Sequence, residues 1–295
     1  MQLTRSALFV PGHKPDWVPK AVASGADALI LDLEDAVPDR DKIGARAPVK
    51  QSVVLLKKQG KRCSVRVNGL ATGLTRDDLE AIFCPELEAV VLPKIETVQD
   101  MENFDALLTE MEKRHGLEVG GVKTSLSLET AKAMRNAHDM AVSCARVTGV
   151  SLAAGPRGDA NRSLGYVWSK EGIETLYVRS KAVLDARAAG IAYPMVSSWW
   201  DVRDLEGLRR DARFNRSLGF RGQVVIHPSH VPIINEVFSP SADEIAYNQG
   251  LIRAFEEAER NGSAAVVYES DMIDYAMVKT AREMLEFAAS IGVEP

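Results

Sequence analysis

Carboxylate, guanidinium and ammonium side chains gather in this chain just beyond short apolar runs, with few nucleophiles among them. The first run leads into His13-Lys14, the second into Asp32-Leu33-Glu34-Asp35 and the third into Arg66-Val67-Asn68. Later runs lead into Lys94-Ile95-Glu96, Glu129, Gly155-Pro156-Arg157-Gly158-Asp159 and His227. Oxygen donors without a histidine triad or cysteine cluster suit a hard ion, Mg²⁺ with Mn²⁺ as alternative, better than zinc. Glu129 and Asp159 could hold such an ion beside an α-keto or α-hydroxy acid, whose carboxylate Arg66 would grip in a bidentate fork. The ion would stabilise a developing enolate or carbonyl oxygen as a Lewis acid. Each residue also has a plainer role. A lone acid after a strand caps the next helix, and Arg66 and Lys94 could simply pair with Asp32, Glu34 or Glu96. His13, Lys14, Lys94 and Arg157 are the basic groups available to a phosphate or carboxylate of the substrate, while Arg157 reads equally well as a surface loop charge.

Groups this distant in sequence converge only if the runs before them are strands of one sheet. Eight β-rich runs recur, at residues 6–10, 28–32, 63–67, 89–92, 122–128, 149–153, 192–197 and 223–226. Several lack strict alternation, as strands buried on both faces do. Helical spacing fills the intervals. Within 41–58, Ile43, Ala47, Val54 and Leu55 are expected to share the buried face, and within 98–114 Met101, Phe104, Leu107, Leu108 and Met111 form one stripe. Further helices are expected at 201–218, 243–261 and 274–289. Eight strands alternating with helices predict a (β/α)8 TIM barrel over residues 1–235. Residues 236–295 exceed one closing helix and are expected to form a helical extension, a lid or an oligomer arm.

Composition narrows the partners. A hydrophobic content of 46% excludes a disordered chain, and a net charge of -5 argues against nucleic acid or an anionic membrane as partner. Cys63, Cys84 and Cys144 offer neither a disulfide framework nor a metal cluster. The apolar runs are too short to span a bilayer and the first ten residues do not read as a signal peptide, so a cytoplasmic protein is expected.

The blocks Arg5-Ser6-Ala7-Leu8-Phe9-Val10-Pro11-Gly12, Asp32-Leu33-Glu34-Asp35-Ala36-Val37, Arg66-Val67-Asn68, Leu92-Pro93-Lys94-Ile95-Glu96, Ile226-His227-Pro228 and Met272-Ile273-Asp274 stand in one order. In that order and spacing the chain resembles the citrate lyase beta-subunit-like family, within the larger HpcH/HpaI aldolase group, over nearly its whole length. The resemblance implies a Mg²⁺-dependent barrel that makes or breaks a carbon–carbon bond. Its substrates would be short acyl-CoA thioesters such as malyl-, citramalyl- or citryl-CoA, giving acetyl-CoA and a keto acid, with coenzyme A entering as part of the substrate. It further implies Glu129 and Asp159 as metal ligands, Arg66 as the carboxylate-binding group, and Asp32 or Glu34 as holders of metal-bound water. Asp274 would be the acid/base residue, although it stands equally well as a helix N-cap. A homo-oligomer, trimer or hexamer, is implied, with lyase-complex subunits as further partners. An aldolase on free keto acids, a thioester hydrolase and a non-catalytic subunit are the competing functions. The chain departs from the family pattern at Gly155-Pro156-Arg157-Gly158-Asp159, where the glutamate that usually precedes the metal aspartate is missing.

Overall fold

The computed structural model describes residues 3–293, which divide into one compact unit ending at Phe238 and a second beginning at Ser239. The first unit is a closed parallel barrel of β1 (Ser6–Pro11), β2 (Ala28–Asp32), β3 (Arg62–Arg66), β4 (Ala89–Leu92), β5 (Lys123–Leu128), β6 (Val147–Leu152), β7 (Met195–Val196) and β8 (Gly222–Val225). Each strand pairs with the next, and β1 closes the ring on β8 through Ser6–Gln223, Ala7–Val224 and Leu8–Val225. Strand β7 is far shorter than its apolar run at 192–197, because Pro194 has no N–H to donate to a ladder. The helix Val231–Val237 closes the barrel chain, so the expected boundary at 235/236 falls inside it.

Strand residues facing outward pack on the surrounding helices. Leu8, Leu31, Val65, Val90, Leu126 and Leu152 are all nearly inaccessible in that layer. The helix Val98–Arg114 buries Met101, Phe104, Leu108 and Met111 as its spacing requires, and starts with a capping box between Thr97 and Asp100. The helix Lys42–Lys58 turns differently from expectation. It buries Ala45, Val49, Val53 and Leu56, and leaves Ile43 and Leu55 exposed. Two apolar stripes compete on this helix. The one spaced 45, 49, 53, 56 runs straight along the axis and wins the contact with the sheet.

The second unit is a C-terminal extension. Its helices Ala242–Arg260 and Tyr275–Ser290 bury Leu251, Phe255, Val278 and Ala281 together with Ile273. Between them lies an antiparallel hairpin of β9 (Val266–Tyr268) and β10 (Asp271–Ile273) that spacing alone does not reveal. Its turn places Glu269 and Ser270 at φ of 44° and 76°, positions where Asn-Gly is the usual sequence signal. Among the described residues no helix is long and apolar enough to cross a membrane.

Candidate active site

Strand β2 ends in Asp32 and strand β3 in Arg66, adjacent in register, and this pairing organises the mouth of the barrel. Arg66 Nε and Nη2 donate to the two Asp32 oxygens, each at 2.7 Å. The Asp32 carboxylate is fully buried and also accepts from the Glu34 and Ala36 N–H groups, both at 3.0 Å. Burial alone would raise its pKa, but the Arg66 fork and charge, with the two N–H donors, hold it below the ordinary carboxylate range. The Arg66 fork expected to grip a substrate is therefore engaged by Asp32, Nη1 also faces Glu34 Oε2 at 3.2 Å, and a ligand would meet only the N–H groups of Nη1 and Nη2 that these two carboxylates leave over. The guanidinium also lies 4.4 Å from the centroid of the Phe9 ring, which fixes its plane.

Lys94 follows β4 with a φ of 55°, a left-handed conformation uncommon for a side chain of this size. The turn aims its ammonium among three carboxylates: Glu34 Oε1 at 2.8 Å, Asp35 Oδ1 at 3.1 Å and Asp159 Oδ2 at 3.4 Å. Glu34 is 2% exposed and lies between two cations, Lys94 at Oε1 and Arg66 Nη1 at 3.2 Å from Oε2. Burial pushes its pKa up, against the pull of Arg66 and Lys94. Glu129, at the end of β5, accepts from Ser127 at 2.7 Å. Burial, reinforced by the Glu34 charge, pushes Glu129 up to about 7.

Arg66, Glu129, Arg157 and Asp159 all line one cavity of about 530 Å³. Asp32, Glu34 and Lys94 bond to its lining from behind. His13 and Lys14 lie on the loop after β1 and do not line the cavity; Lys14 is exposed. Asp274 belongs to the second unit, where its Oδ1 caps the helix Tyr275–Ser290 by accepting from Ala276 and Met277 N–H at 2.9 and 3.1 Å. Cys63 also touches the cavity, but burial pushes its thiol up to about 12, which rules out a thiolate at neutral pH.

Among the described residues no three His, Cys, Asp or Glu side chains are gathered to hold a metal. A Mg²⁺ ion does not require such a cage, since it commonly takes one or two carboxylates and keeps its waters. Glu129, a buried carboxylate held by one hydroxyl and pushed up by burial and the Glu34 charge, is the kind of oxygen donor that a divalent cation relieves, and Asp159 lines the same cavity, so the donor set fits that ion.

Loops behind the mouth are braced by residues that sequence patterns pass over. Asp78, fully buried, accepts from Asn68 N–H at 2.9 Å and Arg46 Nε at 2.8 Å, while Lys42 donates to Asn68 Oδ1 at 2.6 Å and to the Glu34 carbonyl at 3.0 Å. In sequence Asp78 is one of two acids in a helix's first turn, a position that acids occupy for the dipole alone. The loop after β6 reaches Asp159 through Gly158, whose φ of 100° admits glycine readily. Upstream, a Cβ on Gly155 would stand 2.2 Å from Trp200 Nε1. Gly155→Ala is therefore expected to displace the Trp200 ring from the cavity wall and to cost about 1–3 kcal/mol. Tryptophan emission together with urea unfolding would read both effects.

Comparison with known proteins gives the same organisation a lineage. The HpcH/HpaI aldolase/citrate lyase family matches residues 5–228, which contain every barrel strand. The chain is 32% identical over 287 residues to a citrate lyase subunit beta of Leuconostoc mesenteroides subsp. cremoris, across 97% of this chain and 94% of that one. It is 34% identical over 289 residues to a (3S)-malyl-CoA thioesterase of Cereibacter sphaeroides, across 98% and 95% of the two. The crystal structure of CitE from Mycobacterium tuberculosis in complex with magnesium, acetoacetate and coenzyme A superposes with a TM-score of 0.74 at 28% identity, across 97% and 98% of the chains. A closed barrel whose strand ends carry Asp32, Arg66, Glu129 and Asp159, matched over its whole length, places the chain in the HpcH/HpaI aldolase/citrate lyase family.

Proposed function

We propose that this protein is a Mg²⁺-dependent carbon–carbon lyase acting on a 3-hydroxy dicarboxylyl-CoA such as malyl-, citramalyl- or citryl-CoA. The observation that carries the reading is the convergence of Arg66, Glu129 and Asp159 on one cavity, with Glu34 buried behind it between Arg66 and Lys94. Glu129 and Asp159 would hold the ion. Glu34 is better suited than Asp32 to hold its waters, because the Asp32 oxygens are already engaged by Arg66 and two backbone N–H groups. When bound, Mg²⁺ supplies Lewis acidity to the oxygen of the hydroxyl or keto group.

The remaining work falls to the chain's own groups. The free edge of Arg66 binds the carboxylate next to the reacting carbon and fixes its orientation. Cleavage takes the hydroxyl proton, breaks the bond to the carbon beside the thioester and returns a proton to that carbon, so an acid/base group is needed. Asp274 is assigned that part by family resemblance, in a homo-oligomer whose extension carries it; one of its oxygens stays outside the helix cap. Lys94 holds a positive charge at the rim, where Arg157 could meet a further carboxylate or phosphate.

A thioester hydrolase is the second reading, favoured by the likeness to the malyl-CoA thioesterase. Incubation with malyl-, citramalyl- and citryl-CoA in Mg²⁺ or EDTA, followed by mass spectrometry, separates the two. Acetyl-CoA formed only with Mg²⁺, and lost in Asp159→Asn, supports the lyase. Free coenzyme A without acetyl-CoA selects the hydrolase.

A further inference from the structure

Barrels of this type fill their interior with layers of bulky branched side chains. Here Phe9, Ile30, Val91, Met195 and Val224 occupy part of the interior, while other inward positions carry only Ala7, Ala28, Ser64, Ala89, Ser125 and Gly149. In the strand register Ala7 stands opposite Ala28 and Ser125 opposite Gly149, while Ala28 also faces Arg62, Ser64 faces Ile30 and Ala89 faces Lys123. The lumen is correspondingly only partly filled. The cavity that begins at Arg66, Glu129 and Asp159 continues down the barrel to Thr4, Arg62 and Lys123 at the opposite end. Ile30, Val91 and Val224 give it apolar walls. Such a void forfeits dispersion contacts along the Phe9, Ile30, Val91 and Val224 side, which an alkyl guest would supply.

We infer that the lumen beneath the carboxylate site is a channel for a linear alkyl arm, so that the keto acid handled here is a 2-oxo acid with a chain extending beyond that of pyruvate. The inference rests on the lyase reading for the chemistry at the mouth. Its carboxylate meets the free edge of Arg66, and the arm descends past Phe9, Ile30 and Val91, which leaves the thioester partner on the outer side. Cleavage of the corresponding 2-alkylmalyl-CoA moves the hydroxyl proton to base, breaks the bond between the carbinol and methylene carbons, and adds a proton to the methylene. The products are acetyl-CoA and the alkyl 2-oxo acid, with no other reactant.

Calorimetric titration of the full chain, in Mg²⁺, with saturated linear 2-oxo acids from pyruvate to 2-oxodecanoate tests this directly. Affinity is expected to rise about fourfold per methylene, and Ala89→Phe, which fills the lumen, to flatten the series. A series already flat in the unaltered protein overturns the channel, as does a slope that survives Ala89→Phe. Should that variant not fold, as judged by circular dichroism, Ser64→Leu supplies the same plug with less bulk and the unaltered protein's slope still decides. Malyl-CoA cleavage with a flat series overturns the channel and leaves the lyase reading standing. A steep series without cleavage of any acyl-CoA supports the channel and removes the lyase.

Discussion

Replacing Arg66 by alanine is expected to destabilise the barrel by about 3–5 kcal/mol and to abolish turnover. The stability effect comes from what is left behind. Asp32 is fully buried and would keep its two backbone N–H donors while losing both 2.7 Å bonds to the guanidinium. A buried carboxylate without its counter-charge either persists at high cost or takes up a proton. Changing both partners separates stability from catalysis. Arg66→Leu combined with Asp32→Asn removes the orphaned charge, so urea unfolding should show most of the stability restored while turnover stays absent. Arg66→Lys keeps a charge but not the fork and should fall between. The pH profile adds a check. Because Arg66 holds the Asp32 pKa below its unfolded value, that pair stabilises fully above the ordinary carboxylate pKa and fades as pH falls through the lowered one. Arg66→Ala should lose that acid-side dependence. A single variant as stable as the unaltered protein would contradict the pairing.

The barrel was legible because strands such as β1, β2 and β4 are short, largely apolar runs spaced evenly between helical segments, and because most runs lead into a recognisable polar group. The acids and bases were legible as residue types, and the plainer reading that Arg66 and Lys94 pair with Asp32 or Glu34 is the one the structure realises. Sequence could not choose between Asp32 and a substrate for the Arg66 fork, because the pairing depends on β2 and β3 lying in register, 34 residues apart in the chain. Lys94 illustrates the same gap. It reads either as a cation for an incoming anion or as a partner of Glu34, and its left-handed backbone points it at Glu34 together with Asp35 and Asp159, which the spacing did not single out. Asp78 is hidden for a different reason, since a buried bracing acid and a dipole-facing acid look alike in a helix's first turn. The hairpin at Val266–Ile273 escaped because its turn uses Glu269 and Ser270 in place of the residues that announce one. Likewise the partial emptiness of the lumen is written in small residues at alternate strand positions. Only the closed ring gathers Ala7, Ala28 and Ala89 into one place.

Glu129→Gln is expected to abolish activity, by more than about a hundredfold, while making the metal-free protein more stable at pH 8. The two effects have one cause. Burial first, then the Glu34 charge, pushes Glu129 up to about 7 in the folded chain, above the ordinary glutamate value of about 4.3 in the unfolded one. Between those values the folded state binds the extra proton, so stability is fully present below about pH 4.3 and declines as pH rises through about 7. The contribution lost is on the order of 3 kcal/mol, an upper figure for a group near the cavity wall. Glutamine carries no charge to desolvate and escapes the decline. In EDTA, thermal unfolding of the two proteins should therefore nearly coincide at pH 4.5 and diverge in favour of the variant at pH 8. Adding Mg²⁺ at pH 8 should raise the midpoint of the unaltered protein and leave the variant nearly unmoved, because a carboxylate that is strained when alone is the one a divalent cation relieves. Equal midpoints at pH 8 in EDTA would show that Glu129 ionises without cost. An equal Mg²⁺ response in both proteins would place the ion elsewhere.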